Sequence, residues 1–182
     1  MVKRYAELHR NGVEARIKSL AITKPQSHMV STLGVTFGYG VEATGYAGTK
    51  PSSFLQLQRI NNIGGITITP ATIDASALED SVTKTVAGRG ETGGTWTVTV
   101  NFTSETKTEW ANLISAYQTA KTNGVNMWFE TIVPGFEDAF FVVAQPPEAI
   151  PMPEIAQNGL LTVEFPLVIV DVKGMSAKVA FT

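Results

Sequence analysis

The chain contains no cysteine, which excludes disulfides and thiolate metal sites. Histidine is almost as scarce. Only His9 and His28 are present, both in the least patterned stretch, so a serine triad has no imidazole on any expected scaffold element. Charge is sparse at 16%, and 14 bases stand against 16 acids for a net charge of -2. A dedicated nucleic-acid binder usually shows a basic patch in a basic domain, so that class is disfavoured. Long apolar runs are missing too. The longest, around 139–144 and 167–170, fall far short of the ~18 residues a spanning helix needs. The start is charged (Lys3, Arg4, Glu7, Arg10) with no apolar stretch behind it, so neither a secretory signal nor a membrane partner is expected. Threonine, valine and glycine are plentiful and favour strands and tight turns. A length of 182 residues suits one domain with a real core.

Residues 1–31 read as an N-terminal arm with some helix. Tyr5, Leu8, Val13, Ile17 and Leu20 make a loose helical stripe, interrupted at Asn11-Gly12 and broken by Lys24-Pro25. Met29 is an alternative start, because strand patterning begins a few residues later. Residues 32–182 read as a single β-sandwich or barrel domain with one flanking helix. In 33–41, Leu33, Val35, Phe37, Tyr39 and Val41 share one face. Gly34, Gly38 and Gly40 leave the other face flat, open to close approach by another element. Residues 54–60 read as a strand, Asn61-Asn62 with Gly64-Gly65 as a turn, and 66–69 as extended.

The stretch 71–100 organises the rest. A short strand carrying Asp74 leads into a polar loop, Glu79 to Glu91, and then through Gly93-Gly94 into the cleanest strand of the sequence. There Trp96, Val98 and Val100 alternate with Thr95, Thr97 and Thr99, which places one face in a core. The confident helix runs from about Glu105 to Lys121. Thr106 with Glu109 fits a capping box, Trp110, Leu113, Ile114 and Tyr117 form its apolar stripe, and Asn123-Gly124 supplies the stop.

Residues 125–133 and 137–144 form a hairpin about Pro134-Gly135, followed by a proline-rich extended stretch, 145–158. A last long strand, 160–171, turns Leu161, Val163, Phe165, Leu167 and Ile169 to the core. Pro166 marks an edge or bulge in it, and 178–181 form a terminal strand. The two hairpin strands are apolar on both faces, so their second face needs the helix or a neighbouring subunit as cover.

The chemical motifs are weak. Gly88-Arg89-Gly90-Glu91-Thr92-Gly93 matches G-x-G-x-x-G, but a strand follows where a phosphate site needs a helix. Asp74, Glu79 and Asp80 are the densest acids, without the spacing of a calcium loop. Glu137-Asp138 reads as a solvated turn, and Glu105 and Glu109 complement the helix dipole. Trp96 and Trp110 belong to apolar stripes. Trp128 is out of phase with its strand and is the exposed candidate for a sugar platform. No catalytic, cofactor or metal residues are assigned, so an enzyme ranks last.

The order of elements over 33–172 resembles the major tail tube proteins of long-tailed, siphovirus-type bacteriophages. The pattern is Ile73-Asp74-x-Ser76, the acidic turn Glu79-Asp80, Val86-x-Gly88, Glu91-x-Gly93, then an alternating strand and a single helix. Ala87 stands where proline is frequent, and Glu91 where aspartate is frequent. The resemblance implies a structural virion protein with a β-sandwich and flanking helix. Subunits would form hexameric rings stacked into a tail tube, with hairpins joining into an inner barrel through which DNA passes without specific binding. It implies no cofactor. Its partners would be itself and tail proteins such as the tape measure, terminator and distal tail proteins. Its place would be the virion tail, and the host cytoplasm during assembly. The polar loop, with Glu79, Asp80, Val82, Lys84, Val86, Arg89 and Glu91, is then the expected contact between rings. The alternatives are a tube protein of a contractile injection or type VI-like system, and a carbohydrate-binding sandwich using Trp128.

Overall fold

The computed structural model describes residues 32–91, 94–157 and 159–182. The arm reading, both histidines, Met29 and the Thr92-Gly93 step lie outside the described residues. Among the described residues the fold is mainly β, with nine strands and one helix: β1 (Thr36–Val41), β2 (Leu55–Leu57), β3 (Ile60–Ile63), β4 (Thr69–Asp74), β5 (Thr85–Glu91), β6 (Thr95–Asn101), α1 (Ser104–Thr122), β7 (Met127–Ile132), β8 (Asp138–Gln145) and β9 (Thr162–Ala177). Seven strands make one antiparallel sheet in the order β2-β1-β7-β8-β9-β6-β3, and β4 and β5 make a separate two-stranded sheet.

That order forces the large sheet to roll up. Its edge strands β2 and β3 are joined only by Gln58 and Arg59. Three peptide links span at most ~11 Å, whereas the edges of a flat seven-stranded sheet stand ~29 Å apart at the usual strand spacing. Ring contacts agree: Phe37 of β1 meets Trp96 of β6 edge-on at 5.6 Å, although three strands separate them in the sheet order. The sheet therefore folds over on itself and faces its own inner side, as a sandwich does. Arg59 takes a positive φ of 55° to turn the joint, and the Glu109 carboxylate of α1 accepts the Gln58 N–H at 3.0 Å. The expected single strand 54–60 is thus split between two sheet edges, and Asn61-Asn62, expected as a turn, lies inside β3.

The inner face is the main core. Trp96, Val98 and Val100 of β6 and Val163, Phe165, Leu167 and Ile169 of β9 point into it, as period 2 requires. Trp110, Leu113, Ile114 and Tyr117 pack there from α1, with Trp110 stacked on Phe165 at 3.6 Å. Leu161 is corrected: it is 39% exposed, because it lies just before β9, where β6 has already ended. The helix also starts earlier than expected. Thr103 is the N-cap, and its hydroxyl accepts the Thr106 N–H at 3.3 Å. The Thr106 hydroxyl in turn accepts the Thr103 N–H at 2.8 Å. Thr106 is fully buried and so closes the box that the sequence reading gave to Glu109.

Trp110→Ala should cost about 3–5 kcal/mol in urea unfolding, the range for a buried large aromatic. Trp110→Phe should cost clearly less, since the indole N–H finds no partner among the described residues and its loss strands nothing. Equal costs for the two variants would contradict this packing.

Pro166 lies in β9, interior in sheet order between β8 and β6 rather than at an edge. It is tolerated because β9 is shared lengthwise. β6 pairs with 162–168 and β8 with 168–177. Ile169 donates to Gly94 on the β6 side, so by alternation the Pro166 nitrogen faces the side that β8 does not reach.

The second apolar face holds Trp128, Ala139, Phe141 and Val143. The helix, one of the two expected covers, is not what packs on it among the described residues. Phe54, Val179 and Phe181 of the same chain pack there. The flat face of β1 is what admits them: a Cβ on Gly38 would strike Phe181, and one on Gly40 would strike Phe54. Residues 178–181, expected as a strand, make only an isolated parallel bridge, Phe54 to Phe181. Trp128 is corrected as well. It is 4% exposed and donates its indole N–H to the Glu42 carboxylate at 2.7 Å, so it offers no sugar platform.

Candidate assembly surface

The expected polar loop, Glu79 to Glu91, is a loop only in its first part. Val86, Arg89 and Glu91 lie in β5, which pairs along β4 from Thr69↔Glu91 to Asp74↔Thr85. The period-2 signal was hidden by Gly88 and Gly90, where the side chains of Ile73 in β4 and of Ile68 just before it come close. Gly88 and Gly90 therefore serve a ribbon rather than a phosphate loop.

Glu79, Asp80, Val82 and Lys84 sit in the connection, which is ordered by its own polar groups. Asp74 accepts the Ser76 N–H at 2.9 Å, Asp80 accepts the Ala77 N–H at 2.8 Å, and Lys84 closes an ion pair on Asp80. The Lys84 N–H bonds the Ser76 hydroxyl at 2.8 Å. These bonds hold the Asp74 and Asp80 carboxyls below the usual carboxylate value: the Ser76 side chain acts first on Asp74, and Lys84 first on Asp80. Both acids are thus engaged in turn geometry. Among the described residues no group of three or more His, Asp or Glu is placed to hold a metal ion.

The hairpin is exposed throughout β4 and nearly throughout β5. A two-stranded ribbon is at best marginally stable alone in water. Its apolar side chains lie open: Ile73 and Val86, a direct cross-strand pair, are each 56% exposed, and Leu78 and Val82 stand out at the tip. Several such residues on one exposed element mark an interaction surface. The sequence reading placed the element but missed its apolar character, because it counted the charges of the segment and not its strand faces.

A second open apolar run was missed altogether. Met152, Ile155 and Leu160 of the proline-rich stretch are exposed, and Leu161 partly so. Its signal was an apolar residue recurring among prolines that cannot pair in a sheet.

The fold also leaves a cleft of about 690 Å³, lined by Val35, Phe37, Ile60, Ile63, Trp96 and Phe140 among others. No titratable side chain lines it, so it presents no general acid or base. The outer face shared by β6 and β9 pairs Thr95↔Val168, Thr97↔Pro166 and Thr99↔Glu164. It carries one acid and no base there. Among the described residues no helix is long and apolar enough to cross a membrane.

No protein-family model matches the chain, and no curated protein matches it. Two solved structures with a similar chain are particle tails or baseplates. One is the tail of an empty GTA particle with C6 symmetry, 16% identical over 79% of this chain and 95% of that one, with a TM-score of 0.48. The other is the six-fold symmetrised anti-feeding prophage (AFP) baseplate, 10% identical over 79% of this chain and 92% of that one, with a TM-score of 0.45.

Proposed function

We propose that this protein is a structural, self-assembling subunit of a phage-like tail, forming stacked rings of a tube through which DNA passes. The observation that carries the reading is the exposed, self-paired β4–β5 hairpin, a ribbon whose Ile73, Leu78, Val82 and Val86 are open to solvent. Its strands pair with each other and with no strand of the rolled sheet, and in this reading a second copy supplies the missing cover. A contact of one surface with a different surface on the next copy is head-to-tail, the geometry that builds rings and stacks. Residues 32–182 form the assembling domain in this reading, and Glu79, Asp80, Val82, Lys84, Val86, Arg89 and Glu91 lie on the contact between rings. A tube protein of a contractile injection system shares the same physical requirements and is the second reading.

Sedimentation velocity tests self-association. The expected result is a distribution dominated by species several-fold heavier than the 19.5 kDa chain. A single species of monomer mass at tens of micromolar would oppose it.

A conduit must let DNA slide, and phosphate contacts by Lys and Arg are what would hold it. The chain has a net charge of -2, and the β6–β9 outer face is nearly uncharged. The assembled protein should give no retarded duplex in a gel-shift titration to micromolar concentration near physiological salt. Retardation that weakens steeply with added salt would reveal a basic track and contradict the reading.

A further inference from the structure

We propose that residues 178–182 form a releasable strap over the second apolar face, with Glu130 as its proton-dependent catch. This does not rest on the assembly reading. Glu130 lies in β7 between Gly38 of β1 and Phe141 of β8, and it is fully buried. One carboxyl oxygen accepts the Val179 N–H at 2.8 Å. The other has no hydrogen-bond partner among the described residues. Phe181 rests where a Gly38 side chain would be. The strap is otherwise held at its end and its start: Thr182 donates its N–H to the Phe54 carbonyl at 2.9 Å, its hydroxyl lies 3.2 Å from that carbonyl and 3.2 Å from the Ser53 hydroxyl, and Lys178 reaches the Phe136 carbonyl at 3.5 Å.

The proton decides which form of Glu130 fits beneath it. A protonated carboxyl keeps the Val179 bond and leaves no bare charge. An ionised carboxyl leaves one charged oxygen without a protein donor in a site closed to bulk solvent. Water reaches that oxygen most cheaply if the strap lifts, because local opening breaks a few bonds and leaves the main core intact.

The charged neighbours do not remove the conflict. Lys50 lies over the Phe141 ring at 4.6 Å and spends its ammonium on the Ala177 carbonyl at 2.7 Å. Lys173 of β9 sits over the Trp128 ring, paired with Asp171. The Glu42 carboxylate is occupied by Trp128, Asn126 and Gly48. Lys178 of the strap and Asp138 of β8 are exposed.

The direction follows. Burial raises the Glu130 carboxyl above its ordinary 4.5, and the Val179 N–H and then Lys50 only partly offset it. Because the folded value is the higher one, the strap's stabilisation is complete below the ordinary value. It is lost as pH rises through the folded value.

Amide hydrogen exchange of the full chain, read as protection factors, tests this. Between about pH 5 and pH 8, protection at Val179 and Thr182 should fall relative to the β6 amides, by up to about tenfold for each unit of pH between the ordinary and the folded value of Glu130 and no further above the folded value. Glu130→Gln, an uncharged near-isostere, should flatten that dependence. Wild-type protection at Val179 and Thr182 that tracks β6 across the range overturns the proposal, whether or not the variant folds. So does an equally steep fall in Glu130→Gln.

Discussion

Glu42→Ala should destabilise the subunit by about 3–5 kcal/mol. Glu42 follows β1 directly and is 3% exposed, yet it carries a carboxyl group. What keeps it there is a full set of donors. The Trp128 indole N–H lies at 2.7 Å, the backbone N–H groups of Asn126 and Gly48 each at 2.9 Å, and the Asn126 side chain at 3.2 Å. One carboxylate thus ties the end of β1, the loop before β2 and the start of β7. Truncation strands at least the Trp128 and Asn126 donors, at ~1–3 kcal/mol each, and opens a space beside the second apolar face. A domain of this size has roughly 5–15 kcal/mol in all, so the loss is a large fraction of it. Urea unfolding read by tryptophan fluorescence measures this. Glu42→Gln keeps the size and one acceptor oxygen and should lose less. A change under about 1 kcal/mol for Glu42→Ala would mean that water replaces the carboxylate at no cost.

Removing the hairpin should abolish assembly and spare the fold. The cut follows from the register: Thr69 and Glu91 are paired, so their Cα atoms stand roughly 5 Å apart and a short Gly-Ser linker can replace 69–91. A narrower deletion of 82–89 would cut into β5 and leave β4 unpaired, confusing misfolding with lost contact. The hairpin strands pair only with each other, so the seven-stranded sheet loses no ladder. The unfolding midpoint should stay close to wild type while heavy species vanish from sedimentation profiles. A gentler variant, Leu78→Asp with Val82→Asp, puts charge at the exposed tip and should weaken assembly in the same direction. Wild-type-like particles from the excised chain would show that the hairpin is not the contact.

How much of this was legible in the sequence depended on how local the signal was. The alternation of Trp96, Val98 and Val100 and the helical stripe from Trp110 to Tyr117 are short-range patterns, and both elements form. The β7–β8 hairpin was marked by Pro134-Gly135 and pairs in register. What was hidden is set by distant partners. Nothing near Gln58-Arg59 announces that two residues carry the chain from one edge of the sheet to the other. Trp128 looked exposed because its strand is apolar on both faces. Its cover comes from Phe54 and Phe181, about seventy residues before it and fifty after. The two glycines of β1 did hint at a close approach, without saying that Phe54 and Phe181 make it. At the candidate surface, the element was legible and its chemistry was not. Asp80 and Lys84 read as a polar loop, while Ile73 and Val86 face each other across a ribbon that only the pairing reveals.

The most direct test of self-assembly is negative-stain electron microscopy of the purified wild-type protein, at concentrations where sedimentation is measured. The account predicts closed rings, or stacks of rings with a central channel, built from this chain alone. A field of featureless particles of monomer size, unchanged by concentration, would contradict it.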